Sequence, residues 1–154
     1  MGITRLNHAV LYVRDASASA RFYTEVLGFT VRSSIADKAF FLQASDSDND
    51  HDLGLFEVGP VGAARGAGLY HLAWQVRTVD ELVALRRRLL EVGAFVGESD
   101  HGVSKSLYAR DIDGIEFEIM WATPRSEWPA EVGTWPLDLA GAVSRFAGLD
   151  TSDR

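Results

Sequence analysis

The sequence predicts an α+β fold: two tandem βαβββ modules whose strands form a curved, mixed β-sheet trough, with the helices outside and a short C-terminal extension. Three observations carry that expectation. Strand-type alternation surrounds two segments with helical periodicity. The order strand, helix, three strands occurs twice. Distinctive residues also recur at a nearly constant interval: His8 and His71 are 63 residues apart, Gly28 and Gly93 are 65 apart, and Glu57 and Glu118 are 61 apart. Each half is too small to fold well alone, so one domain, 1–154, is expected, with modules 3–58 and 69–122, a linker 59–68 and an extension 123–154.

The elements follow in order. "LNHAVLYVRD" alternates as a strand, and "ASASARFYTEVLGF" has the spacing of an amphipathic helix. Asp15 is its expected N-cap, Phe22, Tyr23, Val26 and Leu27 its apolar stripe, and Gly28 its stop. "TVRSSI", "KAFFLQA" and "HDLGLFEV" then read as strands. In the second copy "LYHLAWQV" is a strand, and Thr78 with Glu81 forms a capping box. The helix it opens carries Leu82, Leu85, Leu89 and Val92 on one stripe and stops at Gly93. "FVGES", "KSLYARD" and "IEFEIMW" complete the module. Between the copies "GPVGAARGAG" interrupts every periodic signal with four glycines and a proline. Beyond Pro124 the repeat ends, and Leu137, Leu139, Val143 and Phe146 suit either a short helix covering the domain or a contact with another subunit.

Composition narrows the function. With 47% hydrophobic and 24% charged residues the chain reads as globular. A formal charge of −7 offers phosphate no attractive field, and Arg86, Arg87 and Arg88 lie within a helical pattern, so nucleic acid is not an expected partner. Cysteine is absent, which excludes disulfides and thiolate ligands and leaves nitrogen and oxygen to hold any metal. Neither a leader pattern nor an apolar run of about 18 residues occurs, so a cytoplasmic location with no membrane partner is expected.

Strand parity sorts the polar residues. In the first strand Leu11 and Val13 face the helix, leaving His8, Val10 and Tyr12 on the other face. The same parity puts His71, Ala73 and Gln75 opposite Leu72, Trp74 and Val76, and Glu116, Glu118 and Met120 opposite Phe117, Ile119 and Trp121. Taken singly, a strand histidine is an ordinary hydrogen-bonded residue and a strand glutamate a solvated one. Two histidines at matching repeat positions with one carboxylate form instead a 2-His-1-carboxylate set, which leaves open positions on divalent iron.

The anchors "NHAVLYVRD", "FYTEVLGF", "GLYHLAW" and "DIDGIEFEI" resemble the vicinal oxygen chelate (glyoxalase/bleomycin resistance/extradiol dioxygenase) superfamily over residues 3–122. Within it the chain is most similar to single-domain catechol 2,3-dioxygenase-like proteins. Where the family usually shows Asp-Pro-Asp-Gly-Asn, Ile112 and Ile115 replace the proline and the asparagine, both in a turn. The resemblance implies His8, His71 and Glu118 as ligands of Fe(II), with Mn(II) as the alternative. It implies a small aromatic diol and dioxygen as substrates, and commonly a homodimer. It assigns His51, His101 and Tyr108 to the substrate pocket: the histidines as acid–base groups, because imidazole titrates near neutral pH, and the tyrosine as a hydrogen-bonding partner of a substrate oxygen.

Two other functions fit parts of the pattern. Glu57, matched to Glu118 by the repeat, would complete a four-ligand set with His8, His71 and Glu118, as in glyoxalase-like and epimerase-like isomerases of the superfamily. A metal-free protein sequestering an aromatic ligand would use Tyr12, Trp74, Tyr108 and Trp121. The segment "DSDNDHDLGLFE" also places Asp46, Asp48, Asp50 and Glu57 at the ligand spacing of a calcium loop, but His51 stands where such a loop needs glycine, so a solvated hairpin loop is expected.

Overall fold

The computed structural model describes residues 6–58, 69, 71–131 and 133–151; the expected linker 59–68 lies outside the described residues. The chain forms two compact units, Met1–Ala67 and Gly68–Arg154.

In the first unit β1 (Ala9–Val13) leads into α1 (Ala16–Leu27), followed by β2 (Thr30–Ile35), β3 (Ala39–Gln43) and β4 (Leu53–Glu57). The sheet order is β1-β4-β3-β2, with β1 parallel to β4 and the other pairs antiparallel. Asp15 caps α1 by accepting from the Ala18 N–H at 2.8 Å. Gly28 ends the helix in the left-handed region at φ 78°, a conformation that costs a side chain without glycine's freedom. The helix lies against β3 and β4, and its Phe22, Tyr23 and Val26 are buried, as are Leu11, Val13, Leu42, Leu53 and Leu55 of the sheet.

The second unit repeats this plan. β5 (Leu72–Val76), α2 (Val79–Glu91), β6 (Phe95–Asp100), β7 (Ser104–Arg110) and β8 (Glu116–Ala122) form a sheet of order β5-β8-β7-β6, in which β5 is parallel to β8. The Thr78–Glu81 capping box is present at the start of α2. Leu82 and Leu89 are fully buried with Leu107, Phe117, Ile119 and Trp121, whereas Val92 is 53% exposed. The helix has already ended there, and the chain turns inward at the buried Ala94.

The extension covers the helix side of this second sheet. Within α3 (Leu139–Phe146) Ala142 is buried, and the Phe146 ring stands 5.4 Å from Trp121. Thr151 and Gly148 donate their N–H groups to the Arg77 carbonyl and the Asp80 carboxylate. Of the two expected roles, covering is the one these contacts fulfil. Among the described residues no helix is long and apolar enough to cross a membrane.

Candidate functional site

Register determines which side chains share a face, because residues paired across a ladder project to the same side of the sheet. Ala73 pairs with Glu118 across β5–β8, and Glu118 pairs with Tyr108 across β7–β8. Phe117, Ile119 and Trp121 alternate with Glu118 and are buried under α2 and α3, so Glu118 and Tyr108 lie on the face away from the helices. His71, two residues before Ala73, shares that face, and its Nε2 lies 3.1 Å from Glu118 Oε2. The side chains of His71 and Glu118 are 23% and 13% exposed, so the pair is sheltered yet reachable. The neighbouring carboxylate, Glu116, is engaged by Arg110 at 3.3 Å.

Tyr108 joins this pair to His101. Its ring stands edge-on to His71 with centroids 6.0 Å apart, and its hydroxyl is 2.7 Å from His101 Nε2. His101 opens the tight turn between β6 and β7, where its N–H donates to the Ser104 carbonyl. The hairpin thereby folds the seven-residue interval back on itself. On its other side His101 Nδ1 faces the Gly133 carbonyl at 3.3 Å and Thr134 Oγ1 at 3.2 Å. These two residues belong to the extension, which pairs with the end of β6 through reciprocal Asp100–Trp135 backbone bonds of 2.9 and 2.8 Å.

The first unit gathers a second set. His8, on the same parity as the exposed Val10 and Tyr12, has its ring 4.8 Å from that of His51, and His51 packs edge-on against Phe41 at 5.0 Å. His8 Nδ1 is 2.9 Å from Asn7 Oδ1, and His51 Nδ1 is 2.9 Å from Asp50 Oδ2. With Nδ1 held as the N–H by Asn7, His8 presents Nε2 as its lone-pair donor, an arrangement usual for metal-binding imidazoles. The loop before β4 is organised by Asp52, whose carboxylate accepts from Ala44 N, Ser47 Oγ and Asn49 Nδ2, while Asn49 also reaches the Asn7 carbonyl. The sequence predicts a solvated hairpin loop; Asp46, Asp48 and Asp50 are exposed, Asp50 with 88% of its side chain, while Asp52 and Asn49 tie the loop together.

Glu57 requires a correction. The sequence interval matched it with Glu118, but Val13 pairs with Glu57 whereas Val10 pairs with Gly54. Since Val10 and Ala73 hold equivalent places in β1 and β5, the register counterpart of Glu118 is Gly54. Glu57 lies instead on the helix side with the fully buried Leu53 and Leu55. There its Oε2 accepts from Ala16 N at the start of α1, at 3.2 Å, and its Oε1 pairs with Lys38. The hydrogen bond from Lys38, with that from Ala16 N–H, holds the Glu57 carboxyl below the usual carboxylate range, and Lys38 is raised in turn. A carboxylate so engaged on the opposite face is not a fourth ligand beside His8.

The donor set of the second unit fits a divalent ion. Two donors about 2.1 Å from one cation and at right angles to each other lie about 3 Å apart, which matches the 3.1 Å between His71 and Glu118. Imidazole nitrogen with carboxylate oxygen suits iron or manganese. Among the described residues no group of three or more His, Asp or Glu side chains is gathered closely enough to hold a metal ion.

Both units are thus βαβββ repeats, which places the chain among α+β proteins built by duplication of that motif. The sequence profile of the Glyoxalase/Bleomycin resistance protein/Dioxygenase superfamily matches residues 5–119, and the chain belongs to this superfamily. It is 34% identical over 129 residues to the catechol-2,3-dioxygenase of Bacillus subtilis (strain 168), a match covering 81% of this chain and 44% of that protein. The chain therefore spans less than half the length of that relative. A glyoxylase/bleomycin resistance protein/dioxygenase domain from Frankia sp. EAN1pec superposes with a TM-score of 0.64 at 27% identity, covering 79% of this chain and 100% of that one. Lactoylglutathione lyase from Agrobacterium tumefaciens superposes with a TM-score of 0.60 at 19% identity, covering 79% of this chain and 96% of that one, a likeness of fold alone.

Proposed function

We propose that the protein is a non-haem Fe(II) extradiol-type ring-cleaving dioxygenase acting on a catecholic aromatic, with Mn(II) as the alternative ion. The observation that carries this reading is the adjacency of His71 Nε2 and Glu118 Oε2 at 3.1 Å on the face that also holds Tyr108 and His101. The name of the Bacillus subtilis relative supports the same chemistry. His8, His71 and Glu118 hold the ion in this proposal. Bound divalent iron supplies open coordination positions at which the vicinal oxygens of a diol and dioxygen meet.

The chain's own residues supply the proton handling. Tyr108 hydrogen-bonds the substrate hydroxyl, and His101, 2.7 Å from the tyrosine oxygen, receives the proton and later returns it. His51 is the second acid–base group, oriented by Asp50 at 2.9 Å. Fixed distances among these groups reduce the orientational cost of bringing the reactants together. Glycine at position 54, where a four-ligand site would carry its second carboxylate, favours three protein ligands over the isomerase arrangement.

The test is oxygen uptake with catechols by iron-reconstituted protein. Uptake is expected to vanish in Glu118→Ala and survive in Glu57→Ala. Loss in both variants, or isomerisation of a methylglyoxal–thiol adduct, would overturn the reading in favour of a lyase; tight aromatic binding with no metal requirement would favour sequestration.

A further inference from the structure

We propose that the extension segment Gly133–Trp135 is a strap that sets the tautomer of His101, making Gly133 and Thr134 positioning residues for the Tyr108–His101 pair. Three contacts lead to this. The Gly133 carbonyl oxygen, 3.3 Å from Nδ1, can only accept a hydrogen bond. An Nδ1 lone pair aimed at that oxygen would be repelled, so the neutral ring carries its proton on Nδ1. Thr134 Oγ1, 3.2 Å from the same nitrogen, accepts from it as well. Nε2 is then the lone-pair nitrogen, and it receives the Tyr108 O–H at 2.7 Å.

The strap is built to hold this geometry. Trp135 extends the sheet at the β6 edge through both of its backbone bonds to Asp100, the residue immediately before His101. A Cβ on Gly133 would come within 2.6 Å of the Trp135 ring, so the glycine allows the chain to fold back over its own tryptophan. Across the turn, Gly102 passes so close to Pro129 that a Cβ there would meet the proline ring at 2.5 Å. The extension thus grips the His101 turn from two sides.

A consequence follows for the direction of proton flow. With the tyrosine proton directed at His101 Nε2, the remaining lone pairs of the Tyr108 oxygen accept a hydrogen bond from the substrate. A proton leaving the substrate hydroxyl passes to that oxygen as the tyrosine proton passes to Nε2, so charge balances and His101 becomes the imidazolium. This functional consequence rests on the dioxygenase reading, whereas the tautomer does not.

The test is the pair of ring 15N shifts of His101, measured on the full chain in the presence of diamagnetic Zn(II). Wild type is expected to show Nδ1 protonated and Nε2 bare. Thr134→Ser should keep that pattern, while Thr134→Val and Gly133→Ala should shift population to the Nε2–H form and lower kcat for oxygen uptake about tenfold with little change in KM. An Nε2–H ring in wild type, or a tautomer unmoved in both Thr134→Val and Gly133→Ala, would overturn the strap. Expected 15N shifts in protein without catechol-dependent oxygen uptake would uphold the strap and remove the dioxygenase reading; the converse result would do the opposite.

Discussion

Tyr108 stands directly opposite Glu118 across the β7–β8 ladder, so the hydroxyl proposed to meet substrate and the carboxylate proposed to hold the ion are fixed by one set of backbone hydrogen bonds. Tyr108→Phe keeps the ring against His71 and removes only the hydroxyl that bonds His101. Oxygen uptake should fall about 10²-fold while iron binding stays within a few-fold of wild type, as measured by steady-state kinetics beside metal titration. A parallel loss of metal would show that the hydroxyl supports the metal site rather than meeting substrate.

Glu57 should act on stability and not on chemistry. Its folded carboxyl is depressed by Lys38 and the Ala16 N–H, so its stabilising contribution is present above the unfolded carboxylate value and disappears as pH falls through the lower folded value. Glu57→Gln should therefore lower the urea midpoint near pH 7, with the gap to wild type closing as pH falls below the usual carboxylate range. A constant gap across that range would assign the effect to shape.

Packing beneath the site sets a larger energy. Trp121 is fully buried between β8 and Phe146. Trp121→Ala should cost about 3–5 kcal/mol in chemical denaturation and should loosen α3 as well, giving faster amide exchange there. Phe146→Ala should loosen α3 with less global cost.

At the start of α2, Thr78 Oγ1 accepts from Glu81 N–H at 3.2 Å while Glu81 accepts from the Thr78 N–H at 3.1 Å. Thr78→Ala should cost about 1 kcal/mol, and adding Glu81→Ala should cost less than the sum of the separate changes, because the two bonds are reciprocal.

Local patterns made much of this legible. Strand parity placed Glu118 and His71 on the face away from the helices, and Asp15 and Thr78 marked helix starts that their caps match. The interval between Glu57 and Glu118 misled because a strand has period two: the three residues separating Glu57 from Gly54 are enough to carry a carboxylate to the opposite face. Gly133 and Thr134 left no signal, since they reach His101 from 32 and 33 residues away through a single backbone bridge. Asn7 carried no such signal either: its bond to the adjacent His8 and its tie to Asn49, in a loop 42 residues on, both emerge only from the fold.

In the proposed site His8, His71 and Glu118 hold one divalent iron, which anaerobic equilibrium dialysis against Fe(II) measures. Wild type and Glu57→Ala should each bind about one ion per chain, and His8→Ala, His71→Ala and Glu118→Ala should each lose at least about 10² in affinity. Undiminished iron binding in any of those three variants, confirmed as folded by circular dichroism, would remove that residue from the site and rule out the three-ligand arrangement.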